Sequence, residues 1–261
     1  MEHVKKLKKY IYEKQTIYVI ADIHGNFKKL ISDIETISNC LLIIAGDVGI
    51  GFQSQIETSE NLSRLNNKCK TQNINILLLR GNHDNPKFFN DENNQYSFSN
   101  VKTIPDYSII SVDKVNILCI GGAISEDRLY RLNRMKNNED NKYEIYWKNE
   151  NVVYDKEILN EIQNSKINID YIITHCGPKC ACIKEFDTYK EWIDDDVNLE
   201  KEILKERFYL NEILEFLLEN GHKIKGWFFG HYHYENNMEY KGVKFYSLPQ
   251  ADLYFKCVEL N

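Results

Sequence analysis

The sequence predicts an α/β fold built on a largely parallel β-sheet, and three observations support this class. Strand-like and helix-like segments alternate along the first half of the chain. The strand-like runs are continuously apolar, as expected for strands that are covered on both faces of a sheet. The length of 261 residues is sufficient for one substantial α/β domain, and we assign residues 1–261 to a single domain.

The first half predicts three strands with a helix between each pair. The strands are expected over residues 16–21, 40–45 and 74–79. Apolar residues at helical spacing predict a helix over 27–37, and a more polar helix is expected over about 54–70. Strand, helix, strand, helix, strand is the order of successive βαβ units, so these strands should be parallel neighbours.

The second half predicts shorter strands and a large insertion. Strand signals at 101–104, 107–112 and 115–120 are joined by tight turns typical of antiparallel pairs. Residues 125–152 are charged and rich in Asn and aromatic side chains, which indicates an insertion or loop over the sheet. Helices are expected at about 155–163 and 197–218, and further strands at 169–174, 225–229, 243–247 and 254–258.

Composition restricts the functions to consider. The net charge of −6 disfavours a dedicated binder of duplex DNA, which needs a basic face. Seven cysteines without framework spacing, no signal-peptide pattern and no apolar run that spans a bilayer predict a cytoplasmic protein without a membrane partner. The basic first residues are predicted to form a solvated helix packed on the domain.

Five of the predicted strands end in residue types that bind metal ions. In open parallel sheets ligands bind beyond the carboxyl ends of the strands, so side chains distant in sequence can meet there. Five of the seven histidines lie at these ends. Each match alone is also typical of an ordinary turn, but five in order favour a shared site. The strand-end blocks are Asp22-Ile23-His24, Gly46-Asp47, Gly81-Asn82-His83-Asp84, Thr174-His175 and Gly230-His231-Tyr232-His233.

These five blocks, in this order, resemble those of the calcineurin-like metallophosphoesterases. The resemblance extends from residue 22 to residue 233 and implies a four-layer α/β/β/α sandwich with mixed sheets. It also implies that Asp22, His24 and His233 hold one divalent metal ion. A second ion would be held by Asn82, His175 and His231, and Asp47 would bridge the two.

The resemblance also implies a cofactor and a mechanism. Mixed imidazole and carboxylate ligands suit Mn, Fe, Zn or Co, and we expect two Mn²⁺ ions from the resemblance. A hydroxide shared by the two ions would attack phosphorus in line. His83 is the candidate proton donor to the leaving group, oriented by either Asp47 or Asp84.

The second block lacks the arginine that protein phosphatases of this superfamily carry there, so another arginine is needed to bind phosphate. Arg128, Arg131 and Arg134 would share one helix face, with Arg128 the first candidate; a solvated face with salt bridges is the alternative. Two further groups have a functional and a structural interpretation. Cys176, Cys180 and Cys182 form either a zinc site or incidental thiols, and Tyr143, Tyr146, Trp147, Tyr189 and Trp192 either stack a base or pack the fold.

The leading hypothesis is a metal-dependent hydrolase of phosphate esters, a phosphatase acting on phosphoproteins, nucleotides or other phosphorylated small molecules. The alternative is a nuclease or phosphodiesterase acting on nucleic acid or cyclic nucleotides. A non-catalytic scaffold is a third hypothesis, but such a protein would be expected to have lost ligand positions. Here every ligand position and His83 are present.

Overall fold

The computed structural model describes residues 7–90, 95–137, 144–182, 187–251, 256 and 258–260. These ranges contain twelve strands, five α-helices and several short 3₁₀ helices. The strands are β1 (Lys9–Tyr12), β2 (Thr16–Ile20), β3 (Cys40–Ala45), β4 (Ile74–Leu79), β5 (Val101–Thr103), β6 (Ser108–Val112), β7 (Val115–Ile120), β8 (Tyr171–Thr174), β9 (Gly226–Phe229), β10 (Asn236–Tyr240), β11 (Val243–Ser247) and β12 (Val258–Glu259). The helices are α1 (Phe27–Asp33), α2 (Gln55–Gln72), α3 (Arg128–Lys136), α4 (Lys156–Asn164) and α5 (Leu199–Glu219).

The strands form two mixed sheets. The five-stranded sheet has the order β12-β2-β3-β4-β5, with β12 antiparallel to β2 and the other pairs parallel. The seven-stranded sheet has the order β1-β6-β7-β8-β9-β11-β10. Its β6–β7 and β10–β11 pairs are antiparallel and its remaining pairs are parallel.

The two sheets pack face to face, and helices cover their outer faces. Strand β3 shows this arrangement because successive side chains point to opposite faces. Leu41 and Ile43 pack toward the other sheet, in one cluster with Ile173 and Phe228. Leu42, on the opposite face, packs in the cluster that contains residues of α1 and α2. The outer face of the seven-stranded sheet packs against α4 and α5. The expected four-layer sandwich is therefore confirmed.

Four features differ from the sequence prediction. The strand signals at 101–104 and 107–112, interpreted as typical of antiparallel pairs, belong to different sheets, because β5 pairs parallel with β4 and β6 pairs with β1 and β7. The basic start was expected to be helical, but Lys9–Tyr12 is an edge strand whose side chains alternate between exposed and half-buried. The strand β10 was not anticipated, since its residues are exposed or half-buried and lack an apolar run. Residues 125–152 include the helix α3, whereas 138–143 and most of the expected strand at 254–258 lie outside the described residues. None of the described helices is both long and apolar enough to cross a membrane.

Candidate metal centre

The loops after β2, β3, β4, β8 and β9 meet at one end of the sandwich. Backbone hydrogen bonds join the first two loops, with Asp22 N–H donating to the Gly46 carbonyl (3.1 Å) and His24 N–H to the Asp47 carbonyl (2.9 Å). The backbone N–H of His83 donates to Oδ1 of Asp47 at 2.8 Å. His231 N–H donates to the Asp22 carboxylate at 3.1 Å and joins the two sheets. These hydrogen bonds join four of the predicted strand ends, and the fifth, after β8, joins them through the contact of Nδ1 of His175 with the Ala45 carbonyl (2.8 Å).

Five of the seven predicted ligands have backbone in the left-handed region. This conformation is uncommon for residues other than glycine and clusters at functional sites, where the surrounding structure holds it in place. The hydrogen bonds between the strand-end loops supply that constraint here. The residues are Asp22 (φ 59°), His24 (φ 44°), Asp47 (φ 51°), His231 (φ 72°) and His233 (φ 55°).

Two glycines allow the close approach of backbone to ligand side chains. A Cβ atom on Gly81 would lie 2.1 Å from Oδ1 of Asp47, and one on Gly230 would lie 2.4 Å from Oδ2 of Asp22. Neither contact is sterically permitted, so any larger residue would displace the carboxylate. The glycines of the third and fifth blocks are therefore needed because they have no Cβ atom to contact the carboxylates, and not because of their backbone conformation.

One group of potential ligands consists of Asp22, His24, Asp47 and His233, whose ligand atoms all lie within 4.8 Å of one another. Nε2 of His24 and Nε2 of His233 are 3.0 Å apart, and Nε2 of His233 is 3.4 Å from Oδ1 of Asp22. Two imidazole nitrogens and two carboxylates at these separations suit one divalent cation of the Mn, Fe, Zn or Co type.

A second group adjoins the first through Asp47. Nε2 of His175 lies 3.0 Å from Oδ1 of Asp47 and 3.2 Å from Oδ1 of Asn82. Nδ1 of His175 donates to the Ala45 carbonyl at 2.8 Å, which turns Nε2 toward the site, as is usual for metal-binding histidines. The ring of His231 completes the group, 5.2 Å from that of His175 between centroids. The donor set and its arrangement fit a second divalent cation beside the first.

The charges at the centre favour an ionised Asp47. Burial by itself raises the pKa of this carboxyl, but the neighbouring His175 and His83 outweigh burial and hold the pKa well below its usual value. Burial lowers and Asp47 raises the pKa of His175, with a net increase to about 9. A cation bound to this pair would displace the proton that they share, because metal ligands must be deprotonated.

The side chain of Asn82 is oriented by residues that the sequence analysis missed. Its amide Nδ2 donates to Oγ of Ser125 (3.2 Å), which leaves Oδ1 facing His175. The backbone N–H of Ser125 in turn donates to the buried Glu150 at 2.6 Å. Ser125 follows the carboxyl end of β7 by five residues, so the strand-end rule that found the ligands extends to this loop as well.

The proposed proton donor His83 lies at the edge of the centre. Its ring stacks on Phe52, with centroids 5.0 Å apart, and Nε2 is 3.9 Å from Oδ2 of Asp47. Nη2 of Arg131 lies 2.8 Å from the same Nε2. Burial is the main cause that lowers the pKa of His83 to about 4, and Arg131 adds to it. His83 is therefore a neutral acceptor toward Arg131.

Asp84, predicted as a second group able to orient His83, makes different contacts. Its carboxylate accepts the backbone N–H groups of Gly81 (2.8 Å), Val48 (3.0 Å), Gly49 (2.8 Å) and Ile50 (2.8 Å). Burial is the main cause that raises its pKa to about 6. Asp84 therefore holds the loops after β3 and β4 together, and Asp47 is the carboxylate beside His83.

The arginines of α3 are correctly placed on a helix, but Arg128 is not the one beside the centre. Its guanidinium forms ion pairs with Asp196 and Glu202, and it lines a different cavity from that of His83. Because successive turns are displaced along the helix, Arg131 is the residue that reaches His83. These contacts favour Arg131 over the predicted Arg128 as the candidate phosphate ligand.

The cysteines and aromatic residues pack against other groups. Sγ of Cys176 and Sγ of Cys182 each lie 3.3 Å from the Tyr232 hydroxyl, and the Arg207 guanidinium covers the Tyr232 ring at 5.2 Å. Burial raises the pKa of both thiols, and the adjacent positive charge disfavours a zinc ion. Trp147 packs edge-on against Phe52. Of the other aromatic candidates, Tyr143 lies outside the described residues.

Comparisons with known proteins agree with this geometry. The family model described as calcineurin-like phosphoesterase matches residues 15–235. A curated relative, a probable cyclic nucleotide phosphodiesterase from Vesicomyosocius okutanii subsp. Calyptogena okutanii (strain HA), is 24% identical over 232 residues, which cover 89% of this chain and 78% of the relative. A dimetal phosphatase from Danio rerio superposes with a TM-score of 0.52 at 11% identity, covering 90% of this chain and 87% of that one, and supports the fold.

Proposed function

The chain belongs to the calcineurin-like phosphoesterases and is a metal-dependent phosphoesterase, and from this premise we propose that it is a dinuclear phosphatase. Its substrates are phosphomonoesters of the nucleotide or phosphoprotein type, and its metal ions are two Mn²⁺. One observation carries the proposal. Seven candidate ligands from two sheets converge on one point, and Asp47 stands between the two groups, 3.9 Å from Nε2 of His24 and 3.0 Å from Nε2 of His175.

The chemistry divides between the cations and the chain. When bound, two divalent cations lower the pKa of water and offset the charge on phosphate oxygens. In the proposed roles, Asp22, His24, Asp47 and His233 surround one cation, and Asn82, His175 and His231 hold the other beside Asp47. His83 transfers a proton to the oxygen of the leaving group. Its Nε2 accepts from Arg131 in the structure, so His83 can take this role once that hydrogen bond is given up and Nε2 has bound a proton.

A second candidate function is hydrolysis of small phosphodiesters such as cyclic nucleotides. It is favoured by the relative from Vesicomyosocius okutanii, which carries that description. The same ligand geometry serves both reactions, because monoester and diester hydrolysis differ in the substituents on phosphorus and not in the nucleophile. The two candidates therefore differ by substrate, which a direct comparison resolves.

The deciding experiment compares p-nitrophenyl phosphate with its bis ester. We expect hydrolysis of the monoester in added Mn²⁺, slower hydrolysis of the bis ester and loss of both activities with EDTA. Asp47→Asn removes the charge shared by the two ligand groups and should lose nearly all turnover. The isosteric control Asp113→Asn, at an exposed turn, should retain it. Faster turnover of the bis ester would favour the diesterase, and full activity in EDTA would contradict both candidates.

A further inference from the structure

A cavity of about 370 Å³ opens beside His83, between the metal centre and α3. This volume falls within the range of small-molecule sites, which is about 300–1,000 Å³. His83, Phe52, Tyr130, Arg131 and Arg134 are among the residues that line it. The cavity therefore lies on the side of the centre from which the proposed proton donor would meet a leaving group.

Arg131 lines this cavity next to His83. Its Nε pairs with Oδ1 of Asp127 at 2.7 Å, and its side chain is only 7% exposed. Nη1 lies 3.4 Å from the carbonyls of Asn82 and Ile145, longer than a good hydrogen bond. Nη2 contacts Nε2 of His83 at 2.8 Å. Both terminal nitrogens thus face the edge of the metal centre, and the long contacts of Nη1 can be replaced by phosphate oxygens, for which a guanidinium is the preferred ligand.

The walls combine aromatic faces with positive charge. Phe52 stacks on His83 with an angle of 22° between the rings, and the Arg131 guanidinium lies 5.7 Å from the Phe52 centroid. On the other wall the Arg134 guanidinium lies 5.6 Å from the centroid of Tyr130, which is 49% exposed. Aromatic side chains offer apolar contact to a planar ring, and a guanidinium can pair with an anionic group.

The charge around this cavity distinguishes it from its neighbour on the same helix. Among the residues that the structure describes, two arginines and one carboxylate, Asp127, line it, so this part of its wall carries a net positive charge. The cavity that contains Arg128 is about 290 Å³ and is also lined by Lys148 and Lys205 and by Glu150, Glu202 and Glu206, so three cationic side chains there face three carboxyl groups. Arg128 itself is already paired with Asp196 and Glu202. In a chain of net charge −6, the cavity beside His83 is suited to an anion.

We propose that the cavity between His83 and α3 is the leaving-group subsite and that it selects planar leaving groups that carry an additional anionic group. Arg131 holds the phosphate that is cleaved, Phe52 and Tyr130 contact the ring, and Arg134 pairs with the second anion. A nucleotide with more than one phosphate has this chemistry. The proposal rests on the proposed function: water adds to phosphorus, the ester P–O bond breaks and the leaving oxygen takes a proton.

The test uses two aryl monoesters that differ in one charge. Phenyl phosphate and 4-carboxyphenyl phosphate are hydrolysed by the Mn²⁺-loaded full chain, and kcat/KM is measured for each. We expect the wild type to prefer the carboxylated ester, and Arg134→Gln to lower that preference about tenfold, the effect of one charge-assisted pair. Lys136→Gln, which removes the same charge from an exposed position of α3, should leave the preference unchanged.

A binding measurement separates failure of the subsite from failure of the proposed function. Phenylphosphonate and 4-carboxyphenylphosphonate are not hydrolysed, and calorimetry gives their affinities for the same three proteins. We expect the wild type and Lys136→Gln to bind the carboxylated phosphonate more tightly than phenylphosphonate, and Arg134→Gln to show a smaller difference. This result supports the subsite even if no ester is turned over. Turnover with no charge preference, or an equal loss on both esters in Arg134→Gln, would overturn the subsite and leave the phosphatase intact.

Discussion

At the residue scale, Asp47 is the side chain that contacts both groups of candidate ligands and the proposed proton donor. Its carboxylate lies 3.9 Å from Nε2 of both His24 and His83 and 3.0 Å from Nε2 of His175. It also accepts the backbone N–H of His83, which fixes that residue relative to the two ligand groups. The proposed proton donor is therefore positioned by the same carboxylate that is proposed to bridge the cations.

The role of His83 can be tested by removing its ring. His83→Ala should retain both metal ions and lose about 10²–10⁴-fold in turnover, the usual contribution of general acid catalysis. The loss should be greatest for leaving groups of high pKa, because these need the proton most. The measurement is metal content by mass spectrometry together with kcat across a series of substituted phenyl phosphates.

His83→Gln is the matched control for this substitution, since glutamine fills part of the space beside Phe52 but cannot transfer a proton. Both variants should show the same steep dependence on the leaving group. If His83→Ala releases metal, or if the rates fall equally for all leaving groups, His83 has a structural role and the proton comes from elsewhere.

Site residues that directly follow a strand could be predicted from the sequence. Site residues whose place is decided by a contact with a residue far along the chain could not. All seven ligand candidates follow apolar strands, and the structure brings them together. The choice among the arginines of α3 depends on Asp196, 68 residues along the chain from Arg128. Helical spacing places Arg128 and Arg131 on one face but contains no information about which of them meets that carboxylate.

At the element scale, the centre depends on the register between the loops after β3 and β4. Asp84 sets this register by accepting four backbone N–H groups, one from its own loop and three from the other. An asparagine at this position would present an amide N–H₂ to at least one of these donors. The two loops carry Asp47 and Asn82, so a change in Asp84 acts on the ligands of both proposed ions.

Asp84→Asn should therefore lower the free energy of unfolding by about 1–3 kcal/mol, the cost of leaving a buried donor without an acceptor. It should also weaken Mn²⁺ binding without removing a ligand. Denaturant unfolding in EDTA measures the first effect, and calorimetric titration with Mn²⁺ measures the second. Asp195→Asn, at an exposed position, should change neither, and unaltered stability of Asp84→Asn would show that the loops are held by other contacts.

Elements were predictable from the sequence in proportion to their burial. Strands β3, β4, β7 and β11 have the predicted bounds, because buried strands are continuous apolar runs or alternate strictly. The edge strands β1 and β10 contain mostly exposed and half-buried side chains and give no such signal. Their strand conformation comes from pairing with β6 and β11, which is a tertiary effect.

At the scale of the whole molecule, two buried glutamates connect the metal centre to the outer helical layer. Glu206 on α5 accepts the backbone N–H groups of Ile124 (3.1 Å) and Val152 (2.8 Å). Glu150 accepts the N–H of Ser125, which contacts Asn82. The segment after β7 is thus held between α5 and the centre by carboxylates that lie in the interior.

Burial makes the stability of the molecule depend on pH through these groups. Burial is the main cause that raises the pKa of Glu150 from 4.5 to about 8, and it also raises the pKa of Glu206. The folded state therefore holds a proton that the unfolded state has released between pH 4.5 and 8. The stabilisation by this proton is complete below pH 4.5 and is lost as the pH rises toward 8.

Glu150→Gln should remove this dependence, because glutamine is neutral at all pH values and its carbonyl can still accept from Ser125. In EDTA, the difference in unfolding free energy between Glu150→Gln and the wild type should increase with pH, by at most about 1.4 kcal/mol per pH unit. Chemical denaturation at pH 5, 6, 7 and 8 measures it, with the exposed Glu239→Gln as the control. Glu206 is present in both proteins, so it enters the difference only through its electrostatic coupling to Glu150. A difference that stays constant or decreases with pH would mean that Glu150 is ionised in the folded chain and is stabilised by contacts that outweigh its burial.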